Sequence, residues 1–585
     1  MKKRNLVLPL AIAPLCLAMW GCNGHNHHDQ IEAANSLPIL GEATPGTLNS
    51  CEDLATQFSY SGTVITNAET LAAGPVSYNS DESYNAPAHC LITGYMNQRM
   101  GIAGPNGETA TYQIGFEMRL PVDWNGRFYY QANGGLDGSV ANAVGRFMFS
   151  NGSDSAALTK GFAVISSDAG HPTPAPTFGF DPQARRDYGY NAVAELTPMA
   201  KSLIEAAYGK QPDRSYFGGC SNGGRHTMVA ATRYATQYDG FLVGNPGFNL
   251  PKAAVDQMYG IQQYSSLVTV DPDNILSSIE GAITEQEFGV VSKAVLAQCD
   301  ALDGAADGMV NALEACQQDF DLNRDVPTCS DDRDGTCLTQ AQKDVLSNIM
   351  AGAHNSANEA IYTSFPYDAG MGTDNYFGWE YTMALTRDSG TVGGVFTTPP
   401  TSVGNTDTDA LAFIQSFSMD TDAPKIYATD AANGFTESAI EFMTPPDPTD
   451  MGTLRDRGAK ILAIHGTSDP VFSVQDTINW YNGLQKANTN EADQFARLFL
   501  VPGMNHCGNG PATDKFDALD KLVSWVEDGT APEEIEASVR ANNAELPADW
   551  SKSRTRPLCP YPQQATYNGT GSVEDATNFT CKAPE

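Results

Sequence analysis

The sequence predicts an α/β fold: a mostly parallel sheet with helices on both faces, interrupted by a large insertion. Three observations predict it. Short apolar runs alternate with stretches of helical spacing at both ends of the chain, the pattern of βα units feeding a parallel sheet. Between them lies a long stretch, residues 247–455, rich in turn residues, aspartate and proline, with no run of regular strands. And Gly219-Cys220-Ser221-Asn222-Gly223 reads Gly-x-Ser-x-Gly, a strand-to-helix elbow that exposes a serine hydroxyl at a strained corner.

The elements follow in order. Met1-Lys2-Lys3-Arg4 and the apolar residues 6–19 form a charged n-region and an h-region, too short for a membrane span and typical of an export signal over residues 1–22. It ends at Cys22, which is either a lipid-acceptor cysteine or a residue beside a simple cleavage site. Residues 23–45 are polar, carry His25, His27 and His28, and read as a flexible tether. Residues 46–246 and 456–585 read as one α/β domain. Ile114, Phe116, Met118 and Leu120 alternate as in a strand; residues 127–131, 162–166, 215–218, 241–244, 460–464 and 495–501 read as further strands. Helical spacing runs over 191–208, ending at Gly209, over 225–234 after the elbow, and over 516–526. Residues 247–455 are expected to form a lid domain.

Composition bounds the function. The 585 residues carry 69 acidic and 34 basic side chains, a net charge of -35, which disfavours partnership with nucleic acid and electrostatic docking on anionic lipid. The acidic surface reads as solvation, and the chain is expected to be a monomer, with membrane anchoring only through a lipid on Cys22. Of the 12 cysteines, Cys16 and Cys22 belong to the leader. The remaining ten in an exported chain imply disulfides. Spacing suggests the local pairs Cys51–Cys90, Cys299–Cys316, Cys329–Cys337 and Cys559–Cys581, leaving Cys220 with Cys507. No Cys-x-x-Cys pair is present, so a zinc ribbon is disfavoured.

A serine hydroxyl needs a base, and the base needs an acid to fix its tautomer. In α/β-hydrolases the chain order is serine, acid, histidine, and this chain offers that order. Asp469 follows the strand ending near His465, and His506 follows the next. His171 is the rival base, but it precedes the serine; His226 lies on the elbow helix, and His465 at a strand end reads as structural. The pair Cys220–Cys507 would tie the residue beside Ser221 to the residue beside His506. The Asn222 N–H, after the nucleophile, is one expected oxyanion donor. The other is expected from Asn133-Gly134-Gly135-Leu136-Asp137-Gly138, with Gly135 as the donor, although the same glycines would also suit a plain tight turn. Residues 299–309 pack Asp300, Asp303 and Asp307 between glycines; this loop is either a calcium site or a solvated acidic turn.

These motifs resemble the tannase and feruloyl esterase family from about Cys51 to the C-terminus. The resemblance is carried by Gly219-Cys220-Ser221, the loop at 300–309, residues 495–507 and Arg556-Pro557-Leu558-Cys559-Pro560-Tyr561-Pro562. It implies an α/β-hydrolase core with a large lid, a Ser221–Asp469–His506 triad with a disulfide beside it, and no organic cofactor. It further implies a structural calcium ion held by the side chains of Asp300, Asp303 and Asp307 and the carbonyls of Ala305 and Met309. Phe472 matches a position that packs on an aromatic acid. The lid departs from the family near Asp374–Pro400, where Trp379 and Arg387 stand close to the ring- and carboxylate-binding positions. The expected function is an exported serine ester hydrolase of small aromatic-acid esters of terephthalate, feruloyl or galloyl type. A peptidase on the same core and a non-catalytic surface lipoprotein that binds aromatic ligands are the alternatives.

Overall fold

The computed structural model describes residues 37–78, 82–148, 156–330 and 333–584. The export signal at 1–22, including Cys16 and Cys22, and the histidines at 25, 27 and 28 lie outside the described residues. Nine strands form one large sheet: β1 (Thr63–Leu71), β2 (His89–Ile102), β3 (Thr109–Pro121), β4 (Arg127–Gln131), β5 (Ala163–Ser167), β6 (Arg214–Cys220), β7 (Gly240–Gly244), β8 (Lys460–Gly466) and β9 (Ala496–Val501), in the spatial order β9-β8-β7-β6-β4-β5-β3-β2-β1. The six strands from β9 to β5 are parallel. Beyond β5 the sheet turns antiparallel through β3, β2 and β1.

The difference has a physical cause. The parallel strands β7 and β8 are buried along their whole length, as covered parallel strands must be, so they read as continuous apolar runs. β1 carries Thr, Asn and Glu and is mostly exposed, so hydrophobicity does not announce it. β3 also departs from simple alternation: its C-terminal half is buried on both faces, because it lies between β5 and β2 rather than at an edge.

Helix α1 (Ala192–Tyr208) packs on β3 and β5 and stops at Gly209, whose φ of 77° caps it in the left-handed region. Helix α2 (Asn222–Arg233) follows the elbow and packs on β6 and β7. Near the C-terminus, α7 (Ala518–Asp528) lies on β7 and β8. Among the described residues, the chain adds no strand to this sheet between β7 and β8. It supplies instead α3 (Leu250–Ser265), α4 (Glu285–Cys299), α5 (Gln340–Met350) and a helical stretch, Trp379 to Phe396, largely widened to π geometry. Capping boxes start α4 at Thr284/Glu287 and α5 at Thr339/Gln342. Helix α6 (Val474–Ala487) returns the chain to the sheet after β8.

The structure differs from the sequence reading over residues 38–45, which composition assigned to the flexible tether. Residues 38–45 lie against the body: the Leu40 N–H donates to Val526 O, and the Ala43 N–H to Glu527 Oε2 at 3.0 Å. Here backbone hydrogen bonding orders a segment that its polar composition marked as loose. All five disulfides form the pairs read from spacing. Among the described residues no helix is long and apolar enough to cross a membrane.

Candidate active site

Four parallel strands deliver the site from their carboxyl ends, where open α/β sheets place their chemistry. β4 leads into the glycine loop at 133–138, β6 into Ser221, β8 into Asp469 and β9 into His506. Ser221 sits at φ 66°, ψ -128°, a conformation costly for any residue with a side chain. Its flanking glycines permit the turn. A Cβ on Gly219 would meet Ala132 O at 2.4 Å, and one on Gly223 would meet the same oxygen at 2.5 Å. The carbonyl of β4's end thus occupies the space that any larger residue would need.

A continuous hydrogen-bonded line follows. His506 Nε2 lies 2.8 Å from Ser221 Oγ, and His506 Nδ1 lies 2.8 Å from Asp469 Oδ2. Asp469 is buried and held on every side. Its Oδ1 accepts the N–H groups of Val471 (2.8 Å) and Phe472 (3.1 Å), and its Oδ2 accepts Asn245 Nδ2 (2.7 Å). Burial works against its charge, but the His506 ring, His465 and these hydrogen bonds outweigh it and hold its pKa well below the ordinary carboxylate range. It is therefore an anion wherever the protein is folded near neutral pH.

The other histidines have different places. His171 is buried, stacks on Phe178 and bonds Leu136 O at 2.6 Å; burial pushes its pKa down to about 4. It props the glycine loop from behind. His226 faces Asp137 at 2.9 Å, and burial holds its pKa well below the usual value. His465 bonds Thr477 Oγ1 and the Phe472 carbonyl, both at 2.9 Å, and its Nε2 lies 3.4 Å from Asp469 Oδ2.

Gly135, Leu136, Tyr188, Ser221 and Asn222 open into one cleft, closed on the other side by Leu250, Ala253, Ala254 and Gln257 of α3, by Arg387, Asp388 and Thr391, and by Val471 and Phe472. Gly135 has φ 63°, which accounts for glycine there. Asn222 is the first residue of α2, so its N–H has no acceptor within the helix. The Phe472 ring meets the edge or face of His506 with centroids 5.3 Å apart, and Trp379 does so at 4.8 Å. Arg387 stacks over Trp379 at 5.3 Å and forks onto Asp388 at 2.8 and 2.9 Å. Of the residues singled out from the sequence, Phe472 and Trp379 thus lie against His506, while Arg387 lies over Trp379 and, with Phe472, lines the cleft.

Three supporting side chains were not visible in the sequence. Asn245 follows β7 and donates to Asp469. Asp368, from the insertion, accepts Thr467 Oγ1, Ser468 Oγ (2.7 Å) and Gly503 N (3.1 Å), so it clamps the Asp469 loop to the His506 loop. Asp137 accepts Asn222 Nδ2 at 2.9 Å. The post-strand position of Asn245 and the place of Asp137 in the glycine loop were local signals; Asp368 had none.

The acidic loop lies apart from this cleft, behind the Cys299–Cys316 bond. The Asp300 carboxylate accepts the N–H groups of Asp307 (3.0 Å), Gly308 (2.9 Å) and Met309 (3.3 Å); Asp303 accepts Ala305 N (2.9 Å) and Asn311 Nδ2; Asp307 pairs with Arg556. Among the described residues no three histidine, cysteine, aspartate or glutamate side chains gather as a metal cluster. The donor chemistry nonetheless suits a hard cation. All five donors named from the resemblance are oxygens, and Asp307 Oδ1 is buried without a hydrogen-bond partner.

A mostly parallel sheet with an elbow serine after β6, an acid after β8 and a histidine after β9 defines the class, an α/β-hydrolase, and its relatives make it a carboxylic ester hydrolase. The family model for tannase and feruloyl esterase matches residues 97–582, and the chain belongs to that family. It is 37% identical over 540 residues to the mono(2-hydroxyethyl) terephthalate hydrolase of Piscinibacter sakaiensis, with 85% of each chain covered. It is 29% identical over 481 residues to a probable feruloyl esterase of Arthroderma benhamiae, covering 79% of this chain and 81% of that one. Among solved structures, feruloyl esterase B from Aspergillus oryzae shares the fold with a TM-score of 0.70 over 91% of this chain and 99% of its own, at 22% identity. Membership sets aside the non-catalytic binding protein.

Proposed function

We propose that the protein is an exported serine esterase that cleaves small esters of aromatic acids through an acyl-enzyme. One observation carries the reading: the Ser221–His506–Asp469 line, bonded at 2.8 and 2.8 Å, opens into a cleft flanked by aromatic rings. Ser221 Oγ attacks the ester carbonyl while His506 Nε2 takes its proton. Asp469 holds the Nδ1–H tautomer and balances the imidazolium. The N–H groups of Gly135 and Asn222 receive the oxyanion. His506 returns the proton to the leaving alcohol; water then repeats the sequence on the acyl-enzyme and frees the acid. Export is supported by the leader pattern and by the five disulfides.

The insertion acts as the lid. Phe472 and Trp379 provide flat apolar surfaces for an aromatic acid, and Arg387 with Asp388 provides the polar end. Terephthalate, feruloyl and galloyl esters all have that form. The test is hydrolysis of mono(2-hydroxyethyl) terephthalate, methyl ferulate and methyl gallate by the purified protein, with Ser221→Ala as control. Turnover of at least one ester, lost in Ser221→Ala, is expected. Equal rates for the two proteins would overturn the serine mechanism.

A calcium ion is proposed for the acidic loop, held by Asp300, Asp303, Asp307 and the carbonyls of Ala305 and Met309. Its role there is structural: it would neutralise carboxylates that burial disfavours, Asp303 being pushed up to about 6. Chelation with EGTA is expected to lower the melting temperature by several degrees, about 1–3 kcal/mol at such a site, with recovery on adding calcium but not magnesium. A melting curve indifferent to EGTA would remove the ion from the account.

A further inference from the structure

The two oxyanion donors come from separate elements, the loop after β4 and the first turn of α2, and a closed ring of buried polar groups joins them behind the cleft. Asp137 is two residues from Gly135 in the same turn, and its N–H closes that turn onto Gly134 O at 3.2 Å. Its Oδ2 accepts Asn222 Nδ2 at 2.9 Å and faces His226 Nε2 at 2.9 Å. Asn222 Oδ1 accepts Arg225 Nε at 2.6 Å. Arg225 donates onward to Gly189 O (2.7 Å) and Tyr188 O (3.0 Å), and the Tyr188 hydroxyl returns to Gly135 O at 3.1 Å. Asp137, Asn222, Arg225 and His226 are all at least 92% buried. A buried ring of this kind is costly unless every member is satisfied, and it reaches the cleft at Gly135, Asn222 and Tyr188.

We propose that Asp137 is a positioning residue which, through the side chain of Asn222, sets the spacing of the Gly135 and Asn222 N–H groups that receive the oxyanion. The proposal rests on the serine mechanism above and goes beyond it, because that mechanism uses only the backbone N–H of Asn222 and gives no role to its side chain or to Asp137. The Asn222 side chain then matters for a reason separate from its backbone N–H. The geometry of donors aimed at the oxyanion governs the transition state and not ground-state binding, so loosening the ring acts on kcat.

The experiment is a double-mutant cycle with Asp137→Ala and Asn222→Ala, the second of which leaves every backbone donor in place. Each single variant is expected to lower kcat about 10–100-fold with KM within about twofold. The double variant is expected to be no slower than the slower single, since both break the same ring. An arylboronic acid, which forms a tetrahedral adduct on Ser221, should lose affinity in proportion to kcat, while the free aromatic acid product binds as before. A merely structural role would weaken both ligands or neither. If Asp137→Ala does not fold, Asn222→Ala decides alone through the boronate-to-acid ratio. Full kcat in Asn222→Ala, or losses that multiply in the double variant, would overturn the proposal while leaving the serine mechanism standing. A wild-type protein that forms no boronate adduct would overturn both.

Discussion

Asp469→Asn is expected to lower kcat by about 10⁴-fold, the largest effect of any isosteric change in this protein. The hydrogen bonds around the carboxylate dictate the result. Oδ1 accepts two backbone N–H groups, from Val471 and Phe472, which cannot move without breaking the turn before α6. An asparagine at 469 must therefore keep its oxygen at the Oδ1 position and turn its NH₂ toward His506 Nδ1. That donor demands a lone pair on Nδ1 and so moves the ring proton to Nε2. An imidazole with Nε2–H cannot accept the Ser221 proton 2.8 Å away. The same NH₂ would also confront Asn245 Nδ2, which now donates to Oδ2 at 2.7 Å. Two donors face to face in a buried site cost about 1–3 kcal/mol, so a lower melting temperature should accompany the kinetic loss. Steady-state rates on whichever ester the wild type prefers, beside a thermal melt, measure both. A loss of less than tenfold would mean that Asp469 does not control the tautomer of His506. Adding Asn245→Ala to Asp469→Asn separates the two effects: it removes the opposing donor and should restore part of the stability without restoring the rate.

The sequence disclosed these groups unevenly, and the reason is the range of the interaction behind each. Ser221 was legible because its constraint is local: two glycines, four residues apart, are needed where the backbone meets Ala132 O. Asp469 and His506 were legible because each sits just beyond an apolar run that only a buried parallel strand requires. The disulfides were legible because four of the five span 39 residues or fewer, which left a single pairing for the last. Asp137, Asp368 and Asn245 were not legible. Their partners are 85, 99 and 224 residues away, and no spacing rule relates them. The antiparallel strands β1 and β2 escaped for a different reason: the solvated half of the sheet stabilises itself through backbone pairing, which leaves little trace in hydropathy. In the acidic loop the aspartates were plain, but not Arg556, which answers Asp307 from 249 residues on.

The second large effect is expected from the bond that joins the two halves of the site. Cys220–Cys507 closes a separation of 287 residues across the whole insertion, with Cα atoms 6.1 Å apart. On the chain-entropy account, such a loop restricts the unfolded state by about 6 kcal/mol at 25 °C. Stability is only part of its work. Ser221 and Cys507 both hold positive φ, 66° and 62°, conformations that residues with side chains leave when nothing restrains them. The bond anchors the residue on the near side of each catalytic group, so it sets the approach of His506 to Ser221. Both sulfurs lie in an apolar cluster with Leu242, Ile464 and Met504, so alanine is the better replacement; serine would add buried hydroxyls. Cys220→Ala with Cys507→Ala is expected to lower the melting temperature and also to reduce kcat about 10–100-fold at temperatures where the variant is fully folded, with KM little changed. The second loss is the informative one. A staple that only stabilises would shift the melt and leave kcat intact below it. A catalytic tie would cost rate even in the folded variant, because a proton transfer set at 2.8 Å tolerates little drift. Unchanged kcat in the folded double variant would therefore reduce the bond to a stabilising cross-link and leave the register of Ser221 and His506 to their strands alone.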